Sequence, residues 1–314
     1  MNFQDLNKIE RYNYYLDLGI KTSKKELSKH LSSFKIKDKL EKQKKMTKFK
    51  IEIISKTITS NLNKITVSFP NIDSLPEFYI QLIRTQLDYV MLKKSLGSLN
   101  WANEKINSFT KIYISKLFRD QNNTIIQKHY KEYLGRVSSI LNRIKKNLEY
   151  LEHSRKTMKS FPSVKTGLFT VALYGFPNVG KSTLLSKITT SKPKIDSYSF
   201  TTKTINIGYL IKDSTKIQVL DTPGTLNRKD KMNEIEMQAE LCLKYIADLI
   251  VFVYDPSYDD EKQNKLLNKI NKLYDDKQIL KYVSKSDLYD DLPQGYIKDI
   301  NILKKEIINF QQQQ

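Results

Sequence analysis

The pattern of apolar and polar positions changes in character near residue 165. Before that point glycine and proline are scarce, and apolar residues recur every three or four positions, which is typical of amphipathic helices. From Leu168 onward, short runs of β-branched and apolar residues alternate with helical patterns, which indicates a parallel sheet flanked by helices. Pro162 marks the change, because the residue before a proline disfavours helix. We therefore expect an all-α bundle over residues 1–165 and a doubly wound, mostly parallel α/β domain over residues 166–314.

Within the first 165 residues the pattern predicts several long helices. Residues 20–47 are strongly basic. Ser74 and Pro76 predict a helix start, as an N-cap and a first-turn proline, and Gly97 predicts the end of that helix. Further helices are expected over residues 100–117 and 123–159. The simplest arrangement is an antiparallel helix bundle.

The second half is expected to form a sheet of five strands, and ligands bind at the carboxyl ends of such parallel strands. The predicted strands cover residues 168–174, 204–211, 216–220, 249–254 and 278–283. The predicted helices cover residues 181–189, 233–246, 259–274 and 300–309.

The segment after the first predicted strand reads G-x-x-x-x-G-K-S and opens a helix, which is the order that a phosphate-binding P-loop requires. Glycines let backbone N–H groups surround a phosphate, and the helix N-terminus adds partial positive charge. Lys181 is expected to reach the β- and γ-phosphates, and the Ser182 hydroxyl to bind Mg²⁺. The alternative is a turn without a ligand. The predicted nucleotide-binding residues here are Gly175, Phe176, Pro177, Asn178, Val179, Gly180, Lys181, Ser182 and Thr183.

A second phosphate-side element follows the strand predicted over residues 216–220. It reads Asp221-Thr222-Pro223-Gly224. An acidic residue at a strand end opposite a P-loop can hold Mg²⁺, and the Gly224 N–H can contact a γ-phosphate. The alternative is a plain turn after a strand.

The segment 199–204 precedes a predicted strand and contains several threonines. A threonine hydroxyl here could complete the coordination of Mg²⁺ when the γ-phosphate is present. Ordinary threonines at the start of a strand are the alternative. The residues themselves leave the choice between Thr201 and Thr202 open.

The last strand is followed by Ser284-Lys285-Ser286-Asp287, where GTPases place Asn-Lys-x-Asp. The Asp287 carboxylate could accept hydrogen bonds from guanine N1–H and the 2-amino group, and Lys285 could pack its stem along the base. Ser284 replaces the usual asparagine, so one hydrogen bond that braces the P-loop is altered. A polar loop after a buried strand is the alternative.

Two further features of active GTPases are missing from the sequence. Residues 296–299 occupy the place of a Ser-Ala loop that supports guanine, which weakens base specificity. Thr225 stands where some GTPases keep a water-positioning glutamine. We therefore expect hydrolysis to be slow, or to depend on a partner or a monovalent cation.

Charge is distributed unevenly along the chain. The net charge is +20, and residues 1–165 carry 33 lysines and arginines against 15 aspartates and glutamates. A basic first half favours a nucleic-acid partner for that half, with a lysine-rich solvated surface as the alternative. The single cysteine, Cys242, allows no disulfide within the chain, which fits a reducing compartment. No apolar run is long enough to span a bilayer.

Together these motifs resemble the Nog family of nucleolar GTP-binding proteins, within the Obg-like P-loop GTPases. The resemblance covers both halves of the chain and includes the segments at 69–73, 134–137, 148–152, 174–182, 200–203, 221–224 and 233–239. It implies a GTPase domain with GTP or GDP and Mg²⁺ as ligands, and Thr202 as the threonine that binds Mg²⁺ beside Ser182 and Asp221. Lys181, Thr202 and Gly224 are the implied catalytic residues. Asn178 resembles the asparagine of cation-dependent GTPases, which makes it a candidate K⁺ ligand; a role in loop shape is the alternative.

The resemblance also implies a cellular role. The family acts in assembly of the large ribosomal subunit by binding its precursor RNA, so we expect ribosomal RNA, large-subunit precursor particles and ribosomal proteins as partners. The expected protein is a short form without the long C-terminal extension of eukaryotic relatives. It is expected to be a monomer away from the ribosome, without a membrane partner, and cytoplasmic, or nucleolar in a eukaryote.

Three functions compete at this point. The first is an RNA-bound GTPase switch. The second is a non-catalytic assembly placeholder with a degenerate nucleotide site, which Ser284 and the missing Ser-Ala loop favour. The third, a GTPase that uses its lysines on anionic lipid, has no lipid anchor motif to support it.

Overall fold

The computed structural model describes residues 3–30, 34, 36–189, 205–212, 215–222, 234–289 and 293–313. Tertiary contacts divide the chain into two compact units. One consists of Phe3–Asp73 and Leu87–Lys159, and the other contains Ser74–Gln86 and Ser160–Gln314. A short segment of the N-terminal half therefore groups with the C-terminal half. The predicted domain boundary after residue 165 stays a prediction.

Long helices form the first unit. The helices before residue 160 are α1 (Tyr12–His30), α2 (Lys39–Ser68), α3 (Glu77–Gln86), α4 (Tyr89–Arg119), α5 (Asn123–Arg143) and α6 (Lys145–Lys159), of which α3 belongs to the second unit. In α2, Ile51, Ile54, Ile58 and Leu62 are fully buried at a spacing of three or four residues, as the sequence pattern predicts. Helix α2 packs against α1 and α4, and α4 packs against α5 and α6. No helix in the described ranges combines the length and apolar character needed to cross a membrane.

The predicted helix boundaries around residues 74–117 are wrong. Ser74 ends a short 3-10 turn (Ile72–Ser74), and α3 begins at Glu77, after Pro76, and ends at Gln86, well before Gly97. A new helix, α4, begins after Asp88. The Asp88 carboxylate accepts a hydrogen bond from the Met91 N–H at 2.9 Å and so caps this helix. Gly97 then lies inside α4, where it is exposed and has no neighbour within 4 Å of an added Cβ atom. The capping residue Asp88 therefore sets the boundary between α3 and α4, whereas Gly97 is accommodated inside a helix.

The helix predicted over residues 123–159 is interrupted at Ile144. This residue has φ −91° and ψ 5°, and it separates α5 from α6. Its N–H still bonds to the carbonyl oxygen of Ile140 at 3.3 Å, and its side chain is buried. The apolar spacing continues across the break, so the sequence pattern contains no sign of it.

The second unit contains a five-stranded sheet. Its strands are β1 (Thr170–Tyr174), β2 (Asn206–Lys212), β3 (Thr215–Asp221), β4 (Leu249–Tyr254) and β5 (Gln278–Val283). Its helices, apart from α3, are α7 (Lys181–Ile188), α8 (Glu234–Tyr245), α9 (Asp260–Leu273) and α10 (Ile300–Gln312). The strand order is β2-β3-β1-β4-β5, and only the β2–β3 pair is antiparallel. A mostly parallel α/β domain with the predicted elements is confirmed.

The register of the parallel strands brings their carboxyl ends to one edge of the sheet. Leu173 pairs with Asp221, and Tyr254 pairs with Val283. Strand β4 is buried along its whole length and lies beside β1 at the centre of the sheet. The loops that follow β1, β3, β4 and β5 therefore leave the sheet at the edge where ligands bind in folds of this class.

Within the second unit, the fully buried Tyr79 connects α3 to the segment before β1. The Tyr79 hydroxyl accepts a hydrogen bond from the Val164 N–H at 3.0 Å. It also lies 3.0 Å from the carbonyl oxygen of Pro162. Buried backbone groups need partners, and this hydroxyl supplies them for the segment that leads into β1.

Candidate nucleotide-binding site

The loop between β1 and α7, residues 175–180, depends on glycine at both ends. Gly175 has a φ of +155°, and an added Cβ atom would lie 2.6 Å from the carbonyl oxygen of Val253. Gly180 has a φ of +92°, in the left-handed region that favours glycine. Asn178 has a φ of +65°, and asparagine adopts this conformation more readily than most residues. The predicted motif therefore matches the backbone that the loop adopts.

Lys181 begins α7 and turns its ammonium group back onto this loop. Its Nζ donates hydrogen bonds to the carbonyl oxygens of Gly175 at 3.1 Å and Phe176 at 2.7 Å, and the residue is only 6% exposed. Burial lowers the pKa of Lys181 to about 8, although the negative charge of Asp221 partly opposes this change. The carbonyl groups offer only partial charges, so an anionic phosphate would stabilise the charged form of Lys181.

Ser182 and Asp221 meet across the gap between α7 and β3. The Ser182 hydroxyl donates to Asp221 Oδ2 at 2.5 Å. Both residues were predicted to bind Mg²⁺, and hydroxyl and carboxylate oxygens are ligands that this ion accepts. No cluster of three or more His, Cys, Asp or Glu side chains within the described ranges could hold a metal ion alone. These two residues fit the usual way in which Mg²⁺ is bound, by one or two protein oxygens together with phosphates and water.

Asn206 belongs to this cluster as well, although the sequence motifs did not predict it. Its Nδ2 donates to Asp221 Oδ2 at 3.0 Å. Asn206 is the first residue of β2 and pairs with Asp221 in the antiparallel register. Aligning the two predicted strands as a hairpin would have placed these side chains opposite each other, so the signal was present in the sequence.

Thr222 was predicted to bind the nucleotide, but its side chain faces the protein interior. It is fully buried, and its hydroxyl donates to the carbonyl oxygen of Leu173 at 2.6 Å. This bond ties the end of β3 to β1. The predicted residues Thr202, Pro223 and Gly224 lie outside the residues that the structure describes, as does Thr225. Of the other predicted P-loop residues, Val179 is buried, Pro177 is half-buried and Thr183 is exposed.

Ser284 follows β5 and lies against the P-loop. A Cβ atom added to Gly180 would lie 3.4 Å from the Ser284 Cβ. The Ser284 hydroxyl donates to the carbonyl oxygen of Tyr254 at 3.0 Å, so it bonds to β4. An asparagine at this position would reach farther than serine does. Ser284 therefore lies beside the P-loop, but it lacks the longer amide side chain with which the usual asparagine braces that loop.

Lys285 is held in place by a buried carboxylate. It has a φ of +55°, and its Nζ lies 2.6 Å from Asp255 Oδ2. Asp255 is 2% exposed and also accepts hydrogen bonds from the Ser257 N–H and hydroxyl at 2.9 and 2.7 Å. Burial raises the pKa of Asp255, but the bonds from Lys285 and Ser257 outweigh this effect and leave it below its usual value. Asp255 therefore stays charged and fixes the Lys285 side chain.

Asp255 was not predicted, although its position after β4 gave a signal. Gln263 of α9 braces its backbone, because Asp255 N donates to Gln263 Oε1 and Gln263 Nε2 donates to Asp255 O, both at 2.9 Å. The loop after β4 also contributes Tyr258, whose ring stacks on Phe176 of the P-loop with centroids 5.0 Å apart. The loop after β4 therefore contacts the phosphate-binding loop through Tyr258, and through Asp255 it contacts the segment that carries Asp287.

Asp287 lies in a 3-10 turn (Ser286–Leu288) at the sheet edge and is exposed. A guanine base would need this carboxylate to be accessible, and it is. Nearby, Ile297 extends the sheet beyond β5 through an isolated bridge to Tyr282. Asp299 then caps α10 by accepting from Asn301 N at 2.6 Å. The chain passes from bridge to helix at the place where a Ser-Ala loop was expected.

Comparisons with known proteins agree with this arrangement. A family profile described as the NOG1 N-terminal helical domain matches residues 4–165, and one described as a 50S ribosome-binding GTPase matches residues 170–285. The chain is 38% identical over 247 residues to an uncharacterized protein of Methanocaldococcus jannaschii, which covers 77% of this chain and 69% of that protein.

Eukaryotic relatives are longer. Nucleolar GTP-binding protein 1 of Drosophila melanogaster is 31% identical over 252 residues, which covers 78% of this chain and 39% of that protein. The chain thus spans about two fifths of the length of this relative. A solved structure of a nucleolar GTP-binding protein 1 homologue from Plasmodium falciparum is 28% identical, with a TM-score of 0.36, and covers 48% of this chain and 75% of that one.

The two family profiles together account for both halves of the sequence. GTPases of this kind bind GTP or GDP, typically with Mg²⁺, and hydrolyse GTP. The chain belongs to the NOG1 family of nucleolar GTP-binding proteins, in which a helical N-terminal domain is followed by a P-loop GTPase domain.

Proposed function

We propose that this chain is a guanine-nucleotide switch with slow or partner-dependent GTP hydrolysis, acting in assembly of the large ribosomal subunit. The observation that carries the proposal is the convergence of predicted phosphate, Mg²⁺ and base-binding residues at one sheet edge. Lys181, the Ser182–Asp221 pair and the Lys285–Asp255 pair all lie at the carboxyl ends of parallel strands.

In this proposal each group has one task. Lys181 binds the β- and γ-phosphates. Ser182 and Asp221 hold Mg²⁺ together with Thr202, and the ion supplies charge neutralisation for the phosphates when bound. Lys285 and Asp287 recognise guanine, and the Gly224 N–H responds to the γ-phosphate. GTP would order the segments around Thr202 and Gly224, and hydrolysis would release them.

Nucleotide preference tests the site directly. In calorimetric titrations with Mg²⁺, GTP and GDP are expected to bind, and ATP is expected not to. Lys181→Ala should abolish binding because the phosphates lose their buried cation, whereas Lys187→Ala, at an exposed lysine of the same helix, should leave it unchanged. Equal affinity for GTP and ATP would contradict guanine recognition by Asp287. Repeating the titration with K⁺ replaced by Na⁺ tests Asn178 as a K⁺ ligand.

Binding to ribosomal RNA is the second part of the proposal. It is supported by the basic N-terminal half and by the name of the profile that matches the GTPase domain, which refers to the 50S ribosome. Contacts to phosphates release counterions, so the logarithm of the affinity should fall with the logarithm of salt concentration by about 0.7–0.9 per phosphate contacted. Filter binding of the full chain to large-subunit RNA at several salt concentrations measures this slope. A flat salt dependence would contradict phosphate contacts.

An assembly placeholder without turnover is the second candidate. It is favoured by Ser284, whose hydroxyl bonds to β4, and by the direct passage from Ile297 to the Asp299 cap. Single-turnover hydrolysis of GTP, with and without large-subunit precursor particles, separates the two. Phosphate release that Lys181→Ala removes supports the switch, whereas its absence under both conditions supports the placeholder.

The proposed partners are precursor particles of the large subunit, with their RNA and proteins. The proposed location is the cytoplasm, or the nucleolus in a eukaryote, and the free chain is proposed to be a monomer. Co-sedimentation with large-subunit precursors in a gradient, and light scattering of the purified chain, test these statements. Co-sedimentation with anionic vesicles in place of precursor particles would favour a membrane role.

A further inference from the structure

A cleft of about 250 Å³ lies in the helical unit, lined by residues of α4 and α5. Its lining positions are four residues apart on α4 and three or four apart on α5, so each set occupies one face of its helix. The residues that carry the argument are Trp101, Lys105, Phe109, Arg136, Ile140 and Arg143. None of them was assigned a role by the sequence motifs.

Cations and apolar rings share this cleft. Lys105, Arg136 and Arg143 are exposed, whereas Trp101 and Phe109 are half-buried. Within the part of the chain that the structure describes, the three cations form no salt bridge, and no acidic residue lines the cleft. The cleft therefore offers an apolar floor and a positively charged rim, which is complementary to a flat anionic ligand.

The most specific contact in the cleft joins Arg143 to Trp101. The Arg143 Cζ lies 5.1 Å from the centroid of the Trp101 ring, which is a cation–π contact. Stacking on the indole restrains the planar guanidinium group on one side. The other side stays available to a second flat group, because Arg143 is exposed. Guanidinium planes and aromatic rings are the surfaces on which unpaired bases stack in RNA-binding proteins.

We infer that this cleft binds one unpaired nucleotide of a single-stranded RNA segment. The base stacks on the open face of the Arg143 guanidinium, which itself lies on the Trp101 ring, and Lys105 and Arg136 contact the adjoining phosphates. A volume of about 250 Å³ is below the roughly 300–1,000 Å³ of sites for drug-sized ligands, so the cleft suits one ring system. Bases inside an A-form duplex are stacked and lie out of reach, so the nucleotide must be unpaired. The inference rests on the proposed binding of RNA by this half of the chain.

An acidic peptide is the alternative occupant. The charge of the rim would suit it equally well, but a carboxylate side chain has no flat ring to stack on the pair formed by Trp101 and Arg143. The two ligands therefore make opposite predictions for any signal that comes from stacking. Trp101 is the only tryptophan in the chain, so its fluorescence reports on this cleft alone.

The experiment titrates the full chain with a single-stranded hexaribonucleotide and follows Trp101 fluorescence. Matched ligands are an abasic hexamer with the same phosphates, a duplex of the same sequence, and polyglutamate. The single-stranded RNA is expected to quench the emission, and the three other ligands are not. Quenching by the abasic hexamer or the duplex to the same extent, or by polyglutamate alone, would overturn the inference.

Variants of Arg143 separate stacking from simple charge. Arg143→Gln removes the charge and the plane, and Arg143→Lys keeps the charge without the plane. Both are expected to weaken binding of the single-stranded RNA by about tenfold, within the range for one stacked base. Lys131→Gln is the matched control, since Lys131 is exposed on α5, five residues from Arg136 and so about 140° around the helix. An Arg143→Lys variant that binds like the unaltered chain would overturn the inference.

The outcome also distinguishes this inference from the broader proposal. If large-subunit RNA binds with a steep salt dependence, but Arg143→Gln weakens it no more than Lys131→Gln does, RNA binding stands and the cleft has no part in it. If no RNA binds at all, both proposals fail together.

Discussion

Lys181 should take up protons when a nucleotide binds. In the free protein, burial holds the pKa of this lysine at about 8, and its Nζ contacts two carbonyl oxygens. The difference from the ordinary value of 10.5 corresponds to about 3 kcal/mol of destabilisation of the charged form. Phosphate oxygens next to Nζ favour the charged form, so binding raises the pKa again and the site gains a proton at alkaline pH.

The size of the effect follows from a pKa of about 8 in the free protein. About a tenth of the Lys181 side chains are neutral at pH 7, about half at pH 8 and about nine tenths at pH 9. Only the charged form binds phosphate well, so affinity is nearly constant below pH 7. Above pH 8 it should fall by up to tenfold per pH unit, which gives about a tenfold loss between pH 7 and pH 9.

Calorimetry in pairs of buffers with different ionisation enthalpies measures the protons directly. GTP binding at pH 8 should take up about 0.5 proton per site, against about 0.1 at pH 7. The exposed Lys187 of the same helix supplies the control, because Lys187→Gln removes one charge near the site without touching the buried amine. Its proton uptake should match that of the unaltered chain.

Two results would refute this reasoning. Equal proton uptake at pH 7 and pH 8 would show that Lys181 is already charged throughout this range. Release of protons at pH 8 would show that another group with the opposite response dominates. In either case burial of Lys181 would not be the main electrostatic cost of the free site.

Three further predictions concern stability. Tyr79→Phe should cost about 0.5–1.5 kcal/mol, because the buried hydrogen bonds of the Tyr79 hydroxyl are lost while the Val164 N–H keeps the Pro162 carbonyl oxygen as an acceptor, and urea unfolding measures the loss. Gly175→Ala should cost at least about 1–3 kcal/mol and impair GTP binding, because the new Cβ would lie 2.6 Å from the Val253 carbonyl oxygen; urea unfolding and calorimetry measure the two effects. Gly97→Ala should stabilise the chain by about 0.5–1 kcal/mol, seen as a higher midpoint of thermal or urea unfolding, since the glycine is exposed inside α4.

Each of these substitutions has a matched control substitution elsewhere in the chain. Tyr289→Phe removes a hydroxyl from a tyrosine that is 38% exposed and should change stability by less than about 0.5 kcal/mol. If it costs as much as Tyr79→Phe, the buried hydrogen bond is not the cause. Gly97→Ala is the control for Gly175→Ala, because an added Cβ has free space at Gly97 and a close contact at Gly175. If both substitutions destabilise the chain, neither the space around the Cβ nor the φ angle of the glycine explains the effect on stability.

The phosphate side of the candidate site could be predicted because its geometry is local. The spacing between Gly175 and Lys181 allows the loop conformation and the contact of Nζ with the loop carbonyls. Asp221 could be predicted as well, since it ends a strand that had to lie beside the first one. Ser182 and Asp221 are 39 residues apart, but each belongs to a motif of its own, so both could be assigned without knowing the contact between them.

The base side depends on contacts between distant segments. Asp255 and Lys285 are 30 residues apart and meet because β4 and β5 are adjacent and in register. Sequence reasoning found Lys285 from its motif but had no motif for its partner. Ser284 was identified as a departure from the motif, and its contact with β4 could be found only from the strand pairing.

The helical half shows a different limit. Apolar spacing predicted helices in this half, and α2 buries isoleucine and leucine residues at that spacing, but Val90 of α4, an expected apolar position, is exposed, and the spacing continues through the breaks. Ile144 interrupts a pattern without changing its period, and Asp88 begins a new helix by accepting a hydrogen bond from the Met91 N–H. The pairing of α3 with the second unit depends on Tyr79, whose hydroxyl partners lie more than 80 residues away.

These differences indicate how the two sides of the site contribute to binding. The phosphate side is fixed by backbone conformation, because Gly175 and Gly180 hold φ values that other residues avoid and Lys181 is buried against carbonyl groups. The base side is fixed by side chains, above all the charged pair of Lys285 and Asp255. Backbone geometry changes little between nucleotides, so phosphate binding supplies affinity that any nucleoside triphosphate shares. In the proposed function, discrimination between bases would then come from the side-chain cluster around Lys285, where Ser284 departs from the usual GTPase pattern.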